Sequence, residues 1–434
     1  MVTLLWKHPK SVICAIFMAA ICQPAFASFS CVNPGGTKGC FNSITAAVAA
    51  AHPGGTINVE PGTYKENVVI NIPLSLIGAG PNKTIIDATG LSNAIYIDGL
   101  DNPGLHSVTV SGFTLENANF EGLLVTNASY ITLNKNTVLD NNNSLDVEAG
   151  TCPGIPDFEP GEQMDCGEGI HIMGVAYSTI SNNTSANNSG GILISDDTGE
   201  THDNLITGNY VHDNGFACGI VLASHQPAIG STAPHHGIVH NTISNNRSIH
   251  NGAAIPAAGA GVGIFSNGTG LGTNTGNIII NNVLKDNGLP GVTFHTHVGP
   301  NFGLPADNLN NNSVIGNTIS GNAADTGDTA TPGPAGININ SGMGGTPITG
   351  TVIWGNSIND EAVDVAINTP AKVEVQYNNL LDKAIGVANL GSGSVNATQN
   401  YWGCFNGPGA KGCSTISGPS VSYFPFLRIP FFSF

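Results

Sequence analysis

Gly191-Ile-Leu-Ile-Ser195 is one of a set of closely related segments that decide the fold of this 434-residue chain. The other copies begin at Gly169, Gly219, Gly291 and Gly336. A second motif alternates with it, a short apolar run bounded by asparagines, with copies that begin at Asn136, Asn209, Asn241, Asn282 and Asn317. Both motifs show the apolar/polar alternation of a strand with one buried face.

No single copy is long enough to enclose a core. Stacked copies can bury their apolar faces together, so the sequence predicts one solenoid and not several globular domains. The closest asparagine motifs, at Asn183 and Asn209, are 26 residues apart. Asparagine tolerates left-handed backbone, and its amide can bond the rungs above and below it. We therefore expect asparagine ladders in an all-β solenoid.

The chain is strongly acidic, with 29 Asp and Glu against 12 Lys and Arg and a formal net charge of −17. Such a surface repels nucleic acid and anionic lipid. We expect no nucleic-acid partner. A polyanionic glycan would need a bridging cation.

Residues 1–27 have the pattern of a secretory signal, with Lys7 and Lys10 before an apolar run and Ala25-Phe-Ala27 as the cleavage site. The apolar run is too short to span a membrane. We expect this segment to be removed and the protein to be secreted, whether periplasmic, extracellular or on the cell surface.

Six of the seven remaining cysteines form three close pairs, each spanning a loop: Cys31/Cys40, Cys152/Cys166 and Cys404/Cys413. In an oxidising compartment these pairs predict three local disulfides. The seventh, Cys218, precedes a buried-strand pattern and is predicted to be a buried thiol.

Residues 28–55 are predicted to form an N-terminal cap. The first disulfide closes its beginning, and a short helix over 42–51 follows, with Asn42 or Ser43 as its N-cap. The apolar core of a solenoid is exposed at its end. The helix is therefore interpreted as a lid on that core.

Two stretches resemble a known family. Gly55-Thr-Ile-Asn-Val-Glu-Pro-Gly-Thr-Tyr64, with Leu74-Ser-Leu-Ile-Gly-Ala-Gly-Pro81, resembles the opening rungs of right-handed parallel β-helix proteins. Asn400-Tyr-Trp-Gly403 is similar to the closing segment of many bacterial members. The family includes pectinesterases, pectate lyases, polygalacturonases, mannuronan epimerases and periplasmic accessory proteins of nitrous oxide reductase.

The resemblance covers almost the whole mature chain. It implies a right-handed parallel β-helix over 56–403, of about ten rungs, followed by a disulfide loop and aromatic tail over 404–434 that packs on the last rungs. It implies little about activity, because this scaffold supports many chemistries.

Loop insertions interrupt the middle rungs, at 146–168, 197–204, 226–236, 268–276, 298–312, 323–335 and 342–350. All but the first are predicted to follow a Gly-led strand. Loops at one position of every turn emerge from one edge of the solenoid. They would form a wall beside the outward face of the Gly-led sheet, where binding sites usually lie.

Alignment of the Gly-led strands by their glycines predicts which side chains stack. Two inward columns run from Ile170 to Val363 and from Ile172 to Val365. One outward column is predicted to contain Met173, Ser195, Ala223, Phe265, His295 and Asn340. Stacked strands lie about 4.8 Å apart, so outward residues of neighbouring rungs can act together.

Acidic and imidazole groups gather at the ends of these strands. We interpret Asp196 and Asp197 as acid/base candidates, assisted by His225. The substrate-binding candidates on the same face are His171, His295, His297 and Asn340.

A metal site is not assigned, because His225 and His297 are predicted to lie two rungs, or roughly 10 Å, apart. The histidine-rich rungs nevertheless leave calcium or a transition metal open as a cofactor.

Asp196-Asp197 resembles the paired aspartates of polygalacturonases, but the basic motif that binds a substrate carboxylate in that family is missing. Elimination of the pectate-lyase type commonly uses a cationic base and calcium. The central rungs offer only Arg247 and Lys285 as cations.

The sequence favours a secreted protein that binds or processes polysaccharide in a groove beside the Gly-led sheet, by glycoside hydrolysis on carboxylates or as a lyase. One alternative is a non-catalytic surface or binding protein. Another is a metal-handling periplasmic protein. Both ends look capped, so a monomer is expected.

Overall fold

The computed structural model describes residues 29–145, 167–225, 227, 231–255, 258–298, 303–327, 331–342 and 346–432. Within these residues, three parallel sheets of 14, 12 and 11 strands run side by side along the molecule. Neighbouring strands in each sheet come from successive turns of the chain. This is the topology of a right-handed parallel β-helix, so the predicted fold class is confirmed.

Sheet A contains β1 (Phe29–Val32), β2 (Gly55–Val59), β5 (Leu74–Gly78), β8 (Thr109–Ser111), β11 (Thr132–Asn134), β14 (Thr179–Ser181), β18 (Leu205–Thr207), β22 (Thr242–Ser244), β26 (Ile278–Ile280), β29 (Ser313–Ile315), β32 (Val352–Trp354), β35 (Val373–Gln376), β38 (Val395–Asn396) and β40 (Val421–Ser422). Sheet B contains β3 (Gly62–Tyr64), β6 (Thr84–Asp87), β9 (Thr114–Glu116), β12 (Thr137–Leu139), β15 (Thr184–Ala186), β19 (Tyr210–His212), β23 (Arg247–Ile249), β27 (Val283–Lys285), β30 (Thr318–Ser320), β33 (Ser357–Asn359) and β36 (Asn379–Leu380).

Sheet C contains all the Gly-led strands, with strands that lack the glycine at both ends of the sheet: β4 (Val68–Ile70), β7 (Ile95–Asp98), β10 (Leu123–Thr126), β13 (Ile170–Met173), β16 (Ile192–Ser195), β20 (Ile220–Ser224), β24 (Val262–Ser266), β28 (Val292–Thr296), β31 (Ala335–Asn340), β34 (Val363–Asn368), β37 (Ile385–Asn389) and β39 (Thr415–Ser417). A small sheet D lies between sheets C and A and contains β17 (Thr201–His202), β21 (Ile238–Val239) and β25 (Asn274–Thr275).

Each turn therefore carries three strands, whereas the sequence motifs described two. The asparagine-bounded motif stands for two different strands: the copy at Asn241 surrounds β22 of sheet A, and the copy at Asn209 surrounds β19 of sheet B. Inward residues of all three sheets form one buried apolar cluster that extends from Val32 to Trp402. Burial of aliphatic side chains along this axis is the main stabilising term.

Asparagine ladders line all three corners of the solenoid, as predicted. The corner between sheets A and B carries Asn136, Asn183, Asn209, Asn246, Asn282, Asn317, Asn356, Asn378 and Asn400. The corner between sheets B and C carries Asn141, Asn188, Asn214, Asn251, Asn287 and Asn322. The corner between sheets C and A carries Asn204, Asn241, Asn277 and Asn312.

The predicted lid helix is present as α1 (Ile44–Ala49). Ser43 is its N-cap and accepts a hydrogen bond from the Ala46 amide at 3.1 Å. The Glu66 carboxylate accepts from the amides of Ile44 and Thr45, both at 2.8 Å. A carboxylate at a helix N-terminus also complements the helix dipole. The buried face of α1 joins the apolar core.

The C-terminal segment continues the sheets, because β39 pairs with β37 and β40 pairs with β38. Strand pairing thus extends beyond residue 403. The aromatic tail packs on the last rungs as predicted, with the Phe431 ring 4.9 Å from Trp354 and 5.4 Å from Tyr377 between centroids.

Strand register corrects two details of the sequence alignment. Val365 pairs with Ile337, whereas Val363 pairs with Ala335. The last strand of the alignment, β34, is therefore displaced by two residues in both inward columns. The loop over 323–335 connects β30 to β31 and lies at the corner between sheets B and C, away from the predicted wall. The loops at 197–204 and 268–276 do connect sheet C to sheet A.

Two of the predicted disulfides are present, Cys31–Cys40 and Cys404–Cys413. Cys152 and Cys166 lie outside the described residues, as does the predicted signal at 1–27. Cys218 is buried, as expected, and its sulfur accepts a hydrogen bond from the Ala260 amide at 3.2 Å. No helix in the described part of the chain is long and apolar enough to cross a membrane.

Candidate functional site

The outward face of sheet C gathers most of the predicted site residues. The register stacks Met173, Ser195, Ala223, Phe265, His295 and Asn340 in one column, as the sequence predicted. A second outward column contains His171, Leu193, Val221, Gly263, Thr293 and Asn338. Almost all of these side chains are buried. The face is therefore part of the packed interior along much of its length.

Asp197 and His225 are brought together where β16 and β20 end. The Asp197 carboxylate is 3.2 Å from His225 Nδ1. Only 8% of the Asp197 side chain and 5% of the His225 side chain are exposed. The stacking of these two strand ends thus produces a carboxylate–imidazole pair at the edge of sheet C, beside the loops that lead to sheet A.

Ser195 and His171 extend the Asp197–His225 pair from the edge of sheet C into its buried outward face. The Ser195 hydroxyl donates to the same Asp197 oxygen, Oδ2, that faces His225. The Ser195 oxygen also lies 2.9 Å from His171 Nε2. His171 Nδ1 lies 3.6 Å from the Glu121 carboxylate. Glu121, His171 and Ser195 are fully buried. Five polar side chains therefore form one continuous series across four turns.

Glu168 lies beside Glu121 in the adjacent turn. Leu123 pairs with Ile170, and Glu121 and Glu168 each lie two residues before these paired residues. Glu168 is 1% exposed. Glu121, Glu168 and Ser195 were not among the site residues predicted from the sequence. A signal was present: glutamate precedes the leading glycine in two successive copies, Glu121-Gly122 and Glu168-Gly169, where the other copies have small or apolar residues.

Asp196 has a different position from Asp197. It continues the inward-facing line that Ser224 and Ser266 occupy in the next turns. Its carboxylate accepts from the Ser224 hydroxyl at 2.9 Å and from the His225 amide at 2.7 Å. Asp196 therefore holds the backbone that presents His225.

The two neighbouring aspartates have pKa values displaced in opposite directions. Burial raises the pKa of Asp196 to about 6, against the opposing hydrogen bonds from His225 and Ser224. Burial also acts to raise the pKa of Asp197, but the charge of His225 and the hydrogen bonds from His225 and Ser195 outweigh it, and the pKa of Asp197 is lowered. Asp197 is thus held as a carboxylate, whereas Asp196 takes up a proton in mildly acidic solution.

His295, His297 and Asn340 form a second group on the same face, further along the solenoid. The His295 and His297 rings meet edge-to-face with centroids 4.6 Å apart, and Phe265 contacts His295 at 6.1 Å. His297 is exposed, whereas His295 and Asn340 are buried. β20, β24 and β28 are consecutive in sheet C, which confirms the two-rung separation of His225 from His297.

Within the described residues, no group of three or more His, Cys, Asp or Glu side chains is arranged to hold a metal ion. The Asp197–His225 pair supplies two such groups. The chemistry available at this pair is proton transfer, with a carboxylate orienting an imidazole.

Comparison with known proteins supports the fold. Residues 80–271 match the model of the right handed beta helix region family. No curated protein matches the sequence at a significant level. The described residues thus have the right-handed parallel β-helix fold that the resemblance implied.

Several solved structures share this fold at low sequence identity. The catalytic domain of an alpha-1,3-glucanase in complex with tetrasaccharides has 15% identity and a TM-score of 0.55, over 92% of this chain and 68% of that one. The Dettilon tailspike protein has 13% identity and a TM-score of 0.51, over 87% of this chain and 64% of that one. An alginate lyase from Paenibacillus sp. str. FPU-7 has 14% identity and a TM-score of 0.45, over 87% and 96%.

Proposed function

We propose that this protein binds polysaccharide along the edge between sheet C and sheet A and breaks a glycan bond by proton transfer at Asp197 and His225. The observation that carries the proposal is the buried Asp197–His225 contact of 3.2 Å, at the edge from which the loops emerge. A charged pair withheld from water is costly, and such pairs are concentrated at catalytic sites.

The roles follow from the contacts. Asp197, ionised and hydrogen-bonded, orients the His225 ring and stabilises its protonated form. In hydrolysis, protonated His225 donates its proton to the glycosidic oxygen as the bond from that oxygen to the sugar carbon breaks, and a water molecule forms the new bond to that carbon and returns a proton to His225. Asp196 has the positioning role of fixing the His225 amide at 2.7 Å. This refines the sequence-based hypothesis, in which Asp196 and Asp197 were equivalent acid/base candidates.

His297 and the adjoining His295 and Asn340 are proposed to contact the same glycan at a distance from the reacting bond. His295 and His297 lie two strands along the sheet from His225, or about 10 Å, and Asn340 lies one strand further. An extended saccharide that runs parallel to the solenoid axis can reach both groups. The exposed His297 ring is the member that solvent reaches most readily.

The proposal of a saccharide ligand draws support from a fold neighbour. The alpha-1,3-glucanase domain, with a TM-score of 0.55, was solved in complex with tetrasaccharides. The acidic surface of this chain favours a neutral glycan, because an anionic one would be repelled.

The test is to incubate the purified mature protein with a panel of neutral and acidic polysaccharides, with and without calcium. Hydrolysis would produce new reducing ends, and elimination would produce ends that absorb in the ultraviolet. We expect new ends from one neutral glycan class. Binding without new ends would favour the non-catalytic alternative, and the absence of both from folded protein would overturn the proposal.

Secretion is the second part of the proposal. It draws on the signal-like residues 1–27 and on the disulfides Cys31–Cys40 and Cys404–Cys413. Mass spectrometry of the protein from the medium and the periplasm of an expressing bacterium is expected to find an N-terminus at Ser28. An intact N-terminus in the cytosolic fraction alone would contradict export.

A further inference from the structure

The series Glu121–His171–Ser195 is polar, fully buried and confined to three turns. In the following turns the same two outward columns carry Val221 and Ala223, and then Gly263 and Phe265. The fold therefore tolerates apolar residues at these positions. Burying a glutamate and a histidine costs free energy unless the groups pair well. A reason beyond folding is needed for placing them behind Asp197.

The hydrogen bonds have a consistent direction. If Ser195 donates to Asp197, its oxygen is left to accept, and the partner 2.9 Å away is His171 Nε2. His171 then carries its proton on Nε2, and its Nδ1 faces the Glu121 carboxylate at 3.6 Å. A carboxylate at that nitrogen favours the doubly protonated ring. Ser195 and a doubly protonated His171 thus support the ionised form of Asp197, and Glu121 does so only through His171.

We propose that Glu121, His171 and Ser195 are positioning residues that hold Asp197 as an oriented carboxylate for its work on His225. The inference rests on the proposed function for its catalytic consequence. The effect of these residues on the protonation of Asp197 can be measured without any substrate. None of the three residues contacts the substrate in this scheme.

The titratable groups around Asp197 come from several turns. His225 approaches from the end of β20, and Asp196 is its neighbour in sequence. His171 lies on β13, with Glu121 and Glu168 before β10 and β13. Of these, His171 and His225 favour an ionised Asp197, and the carboxylates oppose it. Removing Ser195 or the charge on His171 should therefore raise the pH at which Asp197 takes up a proton.

The variants are Ser195→Ala, Glu121→Gln and the conservative Ser195→Thr. Ser195→Thr keeps the hydroxyl, and threonine is already present in this column two turns earlier, at Thr126. The matched control is Thr293→Val, a buried outward residue of sheet C that accepts a hydrogen bond from Asn338 at 3.1 Å and lies outside the series. Circular dichroism establishes that each variant is folded.

The first measurement is the ¹³C resonance of the Asp197 carboxyl carbon against pH, in protein labelled at aspartate. The signal is assigned by its loss in Asp197→Asn. We expect Ser195→Ala to raise the titration midpoint by about one pH unit and Glu121→Gln to raise it by less. Ser195→Thr and Thr293→Val should leave it unchanged. If Ser195→Ala does not fold, Glu121→Gln carries the test.

An unchanged midpoint in the folded Ser195→Ala and Glu121→Gln variants would overturn the inference. The second measurement is the pH profile of glycan cleavage, whose acidic limb should shift upward with the same variants. A shifted midpoint without glycan cleavage by the wild type would uphold the positioning role of Glu121, His171 and Ser195 and refute the proposed function. Glycan cleavage by the wild type, with an unshifted pH profile in Ser195→Ala, would uphold the proposed function and refute the positioning role.

Discussion

Two regions of this molecule bury polar side chains, and they do so in opposite ways. In the asparagine ladders the same amide recurs at each turn: its oxygen accepts from the asparagine of one neighbouring turn, and its NH₂ donates to the asparagine of the other and to a backbone carbonyl. In the Glu121–His225 series five side chains of four residue types meet once, on four turns. The repeated asparagine interaction stabilises the stacking of the turns. The single Glu121–His225 series lowers the stability of the fold, so we interpret it as functional.

Asn246 shows how complete the ladder is. Its oxygen accepts from the Asn209 amide and side chain at 2.9 and 3.0 Å, and its NH₂ donates to the Ile206 carbonyl and to Asn282 at 2.9 and 3.0 Å. Nothing is left to bind a ligand. Asp197, by contrast, takes its two side-chain hydrogen bonds from different residue types and lies at the edge of the sheet. Burial alone therefore does not distinguish a structural polar group from a functional one, whereas repetition does.

The largest effect is expected for Asp197→Asn. This change keeps the shape of the side chain but removes the charge that orients and protonates His225. Glycan cleavage should fall by about 10² to 10⁴-fold, with a small change in the melting temperature. Initial rates on the glycan identified by the panel provide the measurement. Retention of more than a tenth of the wild-type rate would remove Asp197 from the mechanism.

Asn246→Ala should have the opposite signature, a loss of stability with activity retained at moderate temperature. The change leaves the Asn209 amide and the Ile206 carbonyl buried without partners, which costs about 2–4 kcal/mol. Urea unfolding measures the loss. The control is Lys285→Ala, an exposed residue of β27, for which a change below about 0.5 kcal/mol is expected. Equal effects of the two substitutions would contradict a structural role for the ladder.

Glu361→Asn sharpens the comparison, because Glu361 takes the place of asparagine at the end of one ladder. Its carboxylate accepts from the Asn322 amide and side chain, both at 3.0 Å. Burial raises the pKa of Glu361 to about 7, with the charges of Asp382 and Asp360 adding to this and the Asn322 hydrogen bonds opposing it. The folded protein thus binds this proton more tightly than the unfolded chain does.

The contribution of protonated Glu361 is fully present below about pH 4.5 and is lost as the pH rises through about 7. Asparagine needs no proton, so Glu361→Asn should be more stable than the wild type by about 1–3 kcal/mol at pH 8 and nearly equal to it at pH 4. Unfolding curves at the two pH values test this. A stability difference independent of pH would show that Glu361 is ionised in the folded protein.

The smallest effect on activity is expected for Asp196→Asn. An asparagine oxygen can still accept from the His225 amide, so the rate should change by less than about tenfold. The pKa of Asp196, raised to about 6 by burial, makes the wild type lose stability as the pH rises from about 4 to 6, and the variant should lack this slope. A loss as large as that of Asp197→Asn would instead restore Asp196 as the acid of the sequence-based hypothesis.

The solenoid, the inward and outward faces of the Gly-led strands, the lid helix and the ladders could all be predicted from the amino-acid sequence. These features follow from local periodicity and from residue types that recur, and each turn repeats the evidence. That Asp197 and His225 share a column could also be predicted, because both follow strands aligned by their glycines. Val363 is preceded by Ala362 and not by glycine, so the alignment by glycines had no anchor there and placed this strand two residues out of register.

Which polar residues act together could be seen only in the folded chain. Glu121 and His225 are separated by 104 positions in the printed sequence, and insertions of different lengths lie between them. Loop length does not alter which turn stacks on which, but it removes any fixed spacing that could be recognised in the sequence. The separation of Asp196 from Asp197 has a similar reason. Neighbouring residues of a strand face opposite sides, and only the packed structure shows that one carboxylate supports the backbone while the other meets an imidazole.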